Sequence, residues 1–199
     1  MWWPTVAHPA RAAGFGNAAG SRDIIAKVGM PFPPVLASPW IGVEHGGAGR
    51  GLGDAVRDRL RAQLDTSFKM IRNARERGIS VMSGSDTGNA SAFSHGRWHG
   101  KEAKLFVKEV GMPPIEAIVA NTSRNAWLMG LEGEVGVIAP GKLADIVIWN
   151  SDPIADITVL QRPDEISTII KDGRLIDRWA RGFRQLLDEP PRARTSLSG

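Results

Sequence analysis

A short apolar segment that directly follows a long amphipathic helix constrains the fold of this chain more than any other feature. Apolar residues recur at helical spacing between residues 56 and 71, Asp54 is the expected N-cap, and Gly78 ends the pattern. Residues 79–84 read as a buried strand. The polar run Ser85-Asp86-Thr87-Gly88 follows at once. A helix, a buried strand and a polar tip in this order indicate an α/β fold.

The pattern changes near residue 131. Before it, helices are expected at 100–110 and from Pro114 to Gly130, the second with an apolar face. That face is formed by Ile115, Ile118, Val119, Trp127 and Leu128. After it, strands are expected at 136–141, 144–149, 166–170 and 174–176, and Asp172-Gly173 predicts a hairpin turn. We therefore expect helices and strands up to residue 130 and mainly strands beyond it.

Residues 1–53 are rich in Gly, Ala and Pro and carry one short extended candidate at 2–6. Pro31, Pro33, Pro34 and Pro39 are expected to break any regular element. The Gly-rich run 46–53 is not a phosphate-binding loop, because no Gly-Lys-Ser/Thr follows it.

The composition excludes several classes of site and protein. The 199 residues contain no Cys and no Tyr, which rules out disulfides, thiolate nucleophiles and Cys-ligated zinc. No apolar run is long enough to cross a membrane, and no secretory signal is evident, so we expect a cytoplasmic protein. The net charge is +4, with many Arg near the C-terminus. These indicate a solvated face, with nucleic-acid binding as the alternative.

Several motifs along residues 79–176 occur in an order that resembles a known family. They are Gly84-Ser85-Asp86-Thr87-Gly88, His99-Gly100 with Glu102, Gly111-Met112-Pro113-Pro114, Asn125-Ala126, Gly136 to Val147 with Pro140-Gly141-Lys142-Leu143-Ala144-Asp145, and Asp172-Gly173. The series resembles the amidohydrolase superfamily, in its imidazolonepropionase-like and prolidase-like branch. Residues 1–78 match only loosely, as a seventh barrel strand with its loop and helix.

The resemblance implies an α/β fold that is the C-terminal part of a TIM-barrel metal-dependent hydrolase, followed by strands of a small β-sandwich. It divides the chain into a partial barrel at 1–130, with its last strands and helices, a β-sandwich portion at 131–178 and a basic tail at 179–199.

The resemblance also implies the site chemistry. Active sites of such barrels lie at the C-terminal ends of the strands, where Asp86 would stand. In the family this residue contacts a divalent metal, zinc in our expectation, and takes a proton from the metal-bound water. Asp86 is thus the predicted catalytic residue and metal ligand, and His99 the predicted substrate-binding residue. From local sequence alone, Asp86 also fits an ordinary turn.

Most of the family's metal ligands have no counterpart in this sequence. The family uses a His-x-His pair on its first strand and further His on the fifth and sixth, whereas this chain has His only at 8, 45, 95 and 99. One carboxylate does not hold a catalytic zinc, so we expect no metal binding by this chain alone, with Met1 starting inside the barrel. His45 superficially resembles the sixth-strand ligand, and His95 with His99 has the spacing of a helical metal pair. For His45, His95 and His99 the alternative to a metal-ligand role is a position in a loop or on the surface. For His8 we expect a surface position.

The sequence therefore predicts a metal-dependent hydrolase of C–N bonds (amide, cyclic amide or peptide), here as a truncated chain. The alternative is a non-catalytic remnant or interaction fragment of such an enzyme. Expected partners are a small-molecule or peptide substrate and either a second copy or a missing N-terminal barrel segment, but no nucleic acid or membrane. Because unpaired strand edges invite association, we expect the isolated chain to dimerise, aggregate or be marginally stable.

Overall fold

The computed structural model describes residues 33–45, 53–85 and 98–177. Within these ranges five α-helices precede a small sheet. The helices are α1 (Ala37–His45), α2 (Asp54–Glu76), α3 (His99–Lys108), α4 (Pro114–Asn121) and α5 (Ser123–Leu128). The strands are β1 (Ile146–Trp149), β2 (Ile166–Lys171) and β3 (Arg174–Leu175), with 3-10 helices Ile157–Gln161 and Pro163–Glu165 between β1 and β2. This mixture of helices and strands agrees with the expected class.

Helix α1 corrects the expectation that prolines exclude regular structure before residue 53. Pro39 is the third residue of this helix, in the first turn, where a missing N–H costs no helical hydrogen bond. The remaining turns bury Ile41 and half-bury Trp40. The extended candidate at 2–6 lies outside the described residues.

Helix α2 confirms the amphipathic pattern and shifts its start by one residue. Gly53 is the N-cap and Asp54 is the first helical residue. Leu64, Phe68 and Ile71 are buried at helical spacing. Gly78 follows the helix with a φ of 70°, a conformation that glycine adopts without strain.

The predicted strand at 79–84 is an extended segment that carries a parallel bridge at Gly84. Val81 and Met82 are fully buried. Gly84 pairs in parallel with Val35, which lies just before α1. Two chain segments thus run side by side in the same direction, and both lead into polar or helical structure at the same end.

The expected helix from Pro114 to Gly130 is broken at Thr122, where the backbone leaves helical geometry between α4 and α5. The expected buried face is also wrong in part. Ala117 and Ala120 are buried, whereas Ile115 is 53% exposed. Small side chains at these positions let α4 pack closely against the core that α2 and α3 also line.

The three-stranded sheet is antiparallel in the order β1-β2-β3. The hairpin prediction holds: Asp172 and Gly173 both have positive φ, 51° and 73°, between β2 and β3. The prediction of a strand at 136–141 is wrong, because these residues form bends, irregular backbone and a turn instead. The predicted division of the chain at residue 130 stays a prediction.

The segment between β1 and β2 returns to the helices. Ile157 and Val159 in the first 3-10 helix are buried. A Cβ added at Gly100 would lie 2.1 Å from the Leu160 carbonyl oxygen, so only glycine permits this close contact with α3. Within the described ranges, no helix has the length and apolarity to cross a membrane.

Candidate active site

The two parallel segments bring their C-terminal ends together. The bridge between Val35 and Gly84 leaves Leu36 and Ser85 as neighbours at one edge. On the second segment, the Asn125 side chain brackets Ser83: its Oδ1 accepts from the Ser83 N–H at 3.2 Å and its Nδ2 donates to the Ser83 carbonyl at 3.1 Å. The backbone at Ser83, three residues before Asp86, is therefore held at both its N–H and its carbonyl. Asp86 itself lies outside the described residues.

His99 lies at this edge. It is the first residue of α3, and its Nδ1 is 2.9 Å from Ser85 Oγ. The imidazole is exposed, as a group that meets a substrate must be. Of the two predicted site residues, the structure thus brings His99 beside the residue that precedes Asp86, and the substrate-binding role remains a prediction.

Glu102 is a buried carboxyl at the same edge that the sequence did not single out as a site residue. Its Oε1 accepts hydrogen bonds from the backbone N–H groups of Leu36 and Ala37, both at 2.6 Å. Its Oε2 has no hydrogen-bond partner among the described residues. Burial raises the pKa of Glu102 to about 8, although the two N–H donors act in the opposite direction. The carboxyl is therefore largely protonated at neutral pH.

A sequence signal for this residue does exist. Glu102 sits directly before Ala103 and within helical spacing of Leu105 and Phe106, all buried. A carboxylic acid inside the apolar stripe of a helix is expected to be buried and hydrogen-bonded. The apolar face of the helix does not reveal which groups form hydrogen bonds with the Glu102 carboxyl.

Lys101 links α3 to the other end of α1. Its ammonium donates to Glu44 Oε2 at 2.8 Å and lies 5.6 Å from the centroid of the Trp40 ring. Lys101 is only 4% exposed, so this cation is held by a charge partner and an aromatic face in a mostly dry environment.

The described residues do not by themselves fit a metal. They contain no group of three or more His, Asp or Glu side chains that could hold one. Both Asp86 and His95 lie outside the described ranges, as does His8. His45 is the last residue of α1, and among the described residues α2 is the one element between it and the 79–84 segment, which does not suit a sixth-strand ligand. The predicted metal role of Asp86 therefore stays a prediction.

An open cavity of about 300 Å³ lies elsewhere. It is lined by Ser80, Met82, Ser123, Arg124 and Trp127. None of the residues at the paired segment ends lines it, so we assign it no part in the candidate site.

Comparison with known proteins identifies a family whose sequence model this chain matches. Residues 50–176 match the sequence model of the amidohydrolase family. The ochratoxinase of Aspergillus niger is 29% identical over 130 residues, which are 64% of this chain and 25% of that protein. An imidazolonepropionase of Ralstonia nicotianae is 36% identical over 62 residues, covering 31% of this chain and 15% of that protein.

The similarity of this fold to a solved structure supports the sequence matches. A Xaa-Pro dipeptidase with methionine bound in its active site is 30% identical, with a TM-score of 0.64, and the match covers 80% of this chain and 37% of that one. This chain thus spans about a quarter of the ochratoxinase and little more than a third of the dipeptidase. The relatives are hydrolytic enzymes, and the family is generally metal-dependent. Since the family match runs from residue 50 through Asp86 to residue 176 and covers most of the sequence, the chain belongs to the amidohydrolase family.

Proposed function

We propose that this chain is the C-terminal part of a metal-dependent amidohydrolase that cleaves C–N bonds. In this proposal residues 1–130 contribute the last strands and helices of a TIM barrel, and residues 131–178 contribute strands of a small β-sandwich. Asp86 is the catalytic carboxylate, and His99 is a substrate-binding residue.

One observation carries the proposal. The segment that delivers Asp86 runs parallel to its neighbour at Gly84 and Val35, and His99 meets the residue just before Asp86. Parallel strands with functional side chains at their C-terminal ends are the arrangement on which barrel enzymes build active sites. An ordinary surface turn at Asp86 would need neither a parallel neighbour nor a helix start beside it.

The chemistry assigned to this chain is proton transfer and substrate orientation. A divalent metal, zinc in our proposal, polarises the scissile carbonyl and activates water when it is bound. Asp86 accepts a proton during attack and returns it to the leaving nitrogen. His99, whose Nδ1 lies 2.9 Å from Ser85 Oγ, contacts a polar group of the substrate in this proposal.

The substrate class follows the relatives. Their names include an ochratoxinase, an imidazolonepropionase and a Xaa-Pro dipeptidase. We therefore propose a small-molecule or peptide substrate with an amide, cyclic amide or peptide bond. A catalytic zinc needs about three protein ligands, and this sequence contains no His-x-His pair. The other ligands would come from a separate segment, whether an N-terminal barrel portion or a partner chain.

The test compares this chain with the same chain joined to any in-frame upstream segment that carries a His-x-His pair. Zinc per chain is measured by mass spectrometry of the metal, and hydrolysis is measured on a panel of N-acyl amides, cyclic amides and dipeptides. Asp86→Asn removes the proton acceptor while keeping the side-chain shape. Asp65→Asn, on the exposed face of α2, is the matched control.

We expect stoichiometric zinc and hydrolysis in the joined protein and no stoichiometric zinc in the short chain. Asp86→Asn should lower kcat by roughly 10²–10⁴-fold, the usual contribution of a general acid–base group, and Asp65→Asn should leave it unchanged. A joined protein that hydrolyses equally well with Asn at position 86 would remove Asp86 from the mechanism. A metal-free, inactive joined protein would favour a non-catalytic fragment.

A further inference from the structure

The first turn of α3 contacts the 79–85 segment and both ends of α1. His99 meets Ser85 at the end of the 79–85 segment. Lys101 reaches Glu44 near the end of α1. Glu102 reaches Leu36 and Ala37 at the start of α1. One helical turn thus connects both parallel segment ends and both ends of α1.

The contact from Glu102 supplies a non-local acceptor for the first N–H group of α1. The first N–H groups of a helix need acceptors, which a Ser, Thr, Asp or Asn side chain just before the helix usually supplies. Leu36 occupies that place in α1, and its side chain has no acceptor atom. The acceptor comes instead from a residue 65 positions away from Ala37. The cap of α1 is therefore also a tertiary link.

A carboxyl in this position is costly. Glu102 is 0% exposed, and its Oε2 finds no hydrogen-bond partner in the described part of the chain. Burying a polar group without full satisfaction is unfavourable. An apolar side chain would avoid that cost but would leave the two N–H groups of Leu36 and Ala37 unsatisfied.

The links form a closed ring of contacts. Val35 pairs with Gly84, and Ser85 follows Gly84 and meets His99. Three residues further along α3, Glu102 binds the N–H of Leu36, the residue after Val35. Such a ring resists displacement of either segment end, because each end is held from two directions.

We propose that Glu102 is a positioning residue that holds the two parallel segment ends in register, and so fixes where the chain emerges at Ser85, the residue before Asp86. The link to chemistry rests on the proposed function, because it is Asp86 that gives the position of this end its importance. The mechanical role of Glu102 depends only on the contacts around it.

Amide hydrogen exchange on the full chain, read by mass spectrometry, tests the role without any metal or substrate. Peptides covering 33–45 and 79–85 report on the two segment ends, and peptides covering 146–171 serve as an internal reference. Glu102→Gln keeps a carbonyl acceptor in the same place. Glu102→Met fills a similar volume without an oxygen. Glu109→Gln, at the exposed residue that directly follows α3, is the control.

We expect Glu102→Met to speed exchange in both 33–45 and 79–85 by on the order of ten- to a hundredfold, as loss of the acceptor for two buried donors implies. Glu102→Gln should restore most of the protection, and Glu109→Gln should change nothing. If Glu102→Met also exposes 146–171, the chain has unfolded globally. Glu102→Asp then repeats the test, because it keeps the acidic group and shortens its reach by one methylene.

Three outcomes would overturn the proposal. Unchanged exchange in Glu102→Met shows that the contact does not hold the ends. Faster exchange confined to 33–45 shows that the link does not extend to Ser85. Equal loss of protection in Glu102→Gln and Glu102→Met shows that the acceptor is not the cause. None of these depends on metal or activity, so they are separable from a failure of the hydrolase proposal.

Discussion

The helical part of this protein and its three-stranded sheet bury their apolar side chains to very different extents. Around α2, α3 and α4, residues such as Phe106, Ile71 and Leu105 are fully enclosed. In the sheet, no residue of β1, β2 or β3 is buried. Val147 and Ile148 are about half exposed, and Leu175 is 75% exposed.

This difference indicates two kinds of stabilisation. The helical part depends on close packing of a shared core, where each enclosed side chain contributes through removal from water and dense contact. The sheet depends on its backbone ladder and on local polar contacts. At the hairpin, for example, Asp145 accepts from the Asp172 N–H at 2.8 Å and from the Lys171 ammonium at 2.5 Å. A change of equal size should therefore have unequal effects in the two regions.

The largest expected effect is a cavity in the helical core. Phe106 is 0% exposed, and Phe106→Ala should lower the free energy of unfolding by about 3–5 kcal/mol. Ile138→Ala is the counterpart beyond the helices: Ile138 is 84% exposed, so less than about 0.5 kcal/mol is expected. Urea unfolding measures both. Comparable losses in the two variants would contradict the comparison.

The second effect is the pH dependence of stability, which should differ between a buried and an exposed carboxyl. The pKa of Glu102 in the folded chain is about 8, above its ordinary value of 4.5. Between these values the folded chain keeps a proton that the unfolded chain releases, so stability falls as the pH rises. At about 1.4 kcal/mol per pKa unit, the loss is on the order of 2–4 kcal/mol by pH 8. Glu102→Gln should remove most of this pH dependence.

The matched variant for this prediction is Asp145→Asn in the sheet. The hydrogen bond from Lys171 lowers the pKa of Asp145, so its contribution is present at neutral pH and is lost only as the pH falls into the acid range. Asp145→Asn should therefore keep the wild-type slope between pH 4.5 and 8. Urea unfolding at pH 4.5 and at pH 8 measures the change in the free energy of unfolding. If Glu102→Gln shows the same change with pH as the wild type, another group is responsible.

The third effect concerns the contact that joins the two regions. Gly100→Ala places a Cβ against the Leu160 backbone, which must move away. Such overpacking costs about 1–3 kcal/mol. Gly133→Ala meets no atom within 4 Å and should be close to neutral. Thermal unfolding of the two variants measures the difference, and equal midpoints would show that α3 and the 3-10 helix separate without cost.

The same contrast explains which elements the sequence predicted. Helix α2 and the Asp172-Gly173 turn are determined by local periodicity and backbone preference, and both are found as expected. The run at 136–141 has β-branched residues but forms turns, because a strand also needs a partner that composition does not specify. Gly136 has a φ of 95° and packs against Ala126, a constraint that the apolar pattern conceals.

The candidate site also contains residues that the sequence predicted and contacts that it did not. Motif order predicted Asp86 and His99, and His99 lies at the segment end next to Ser85. The contacts of Glu102 with Leu36 and Ala37 join residues more than 60 positions apart. Neither helical spacing nor capping preference specifies such a partner, since the cap of α1 is not supplied by the residue before it. Only the packing of α3 across both segment ends reveals the link.

The smallest expected effect on stability is found at exposed apolar side chains beyond residue 131, in the sheet and in the turns before it. Leu175→Lys and Ile138→Lys should each change the free energy of unfolding by less than about 0.5 kcal/mol, because neither side chain is enclosed. Exposed apolar surface favours association, so both variants should instead reduce the self-association that we predict for the isolated chain. Sedimentation velocity over a range of concentrations measures this. Ser167→Lys, on an exposed position of β2, adds the same charge without removing an apolar group and should have less effect. If it disperses the chain equally well, net charge and not apolar surface controls association, and the contrast between core and sheet would then concern stability alone.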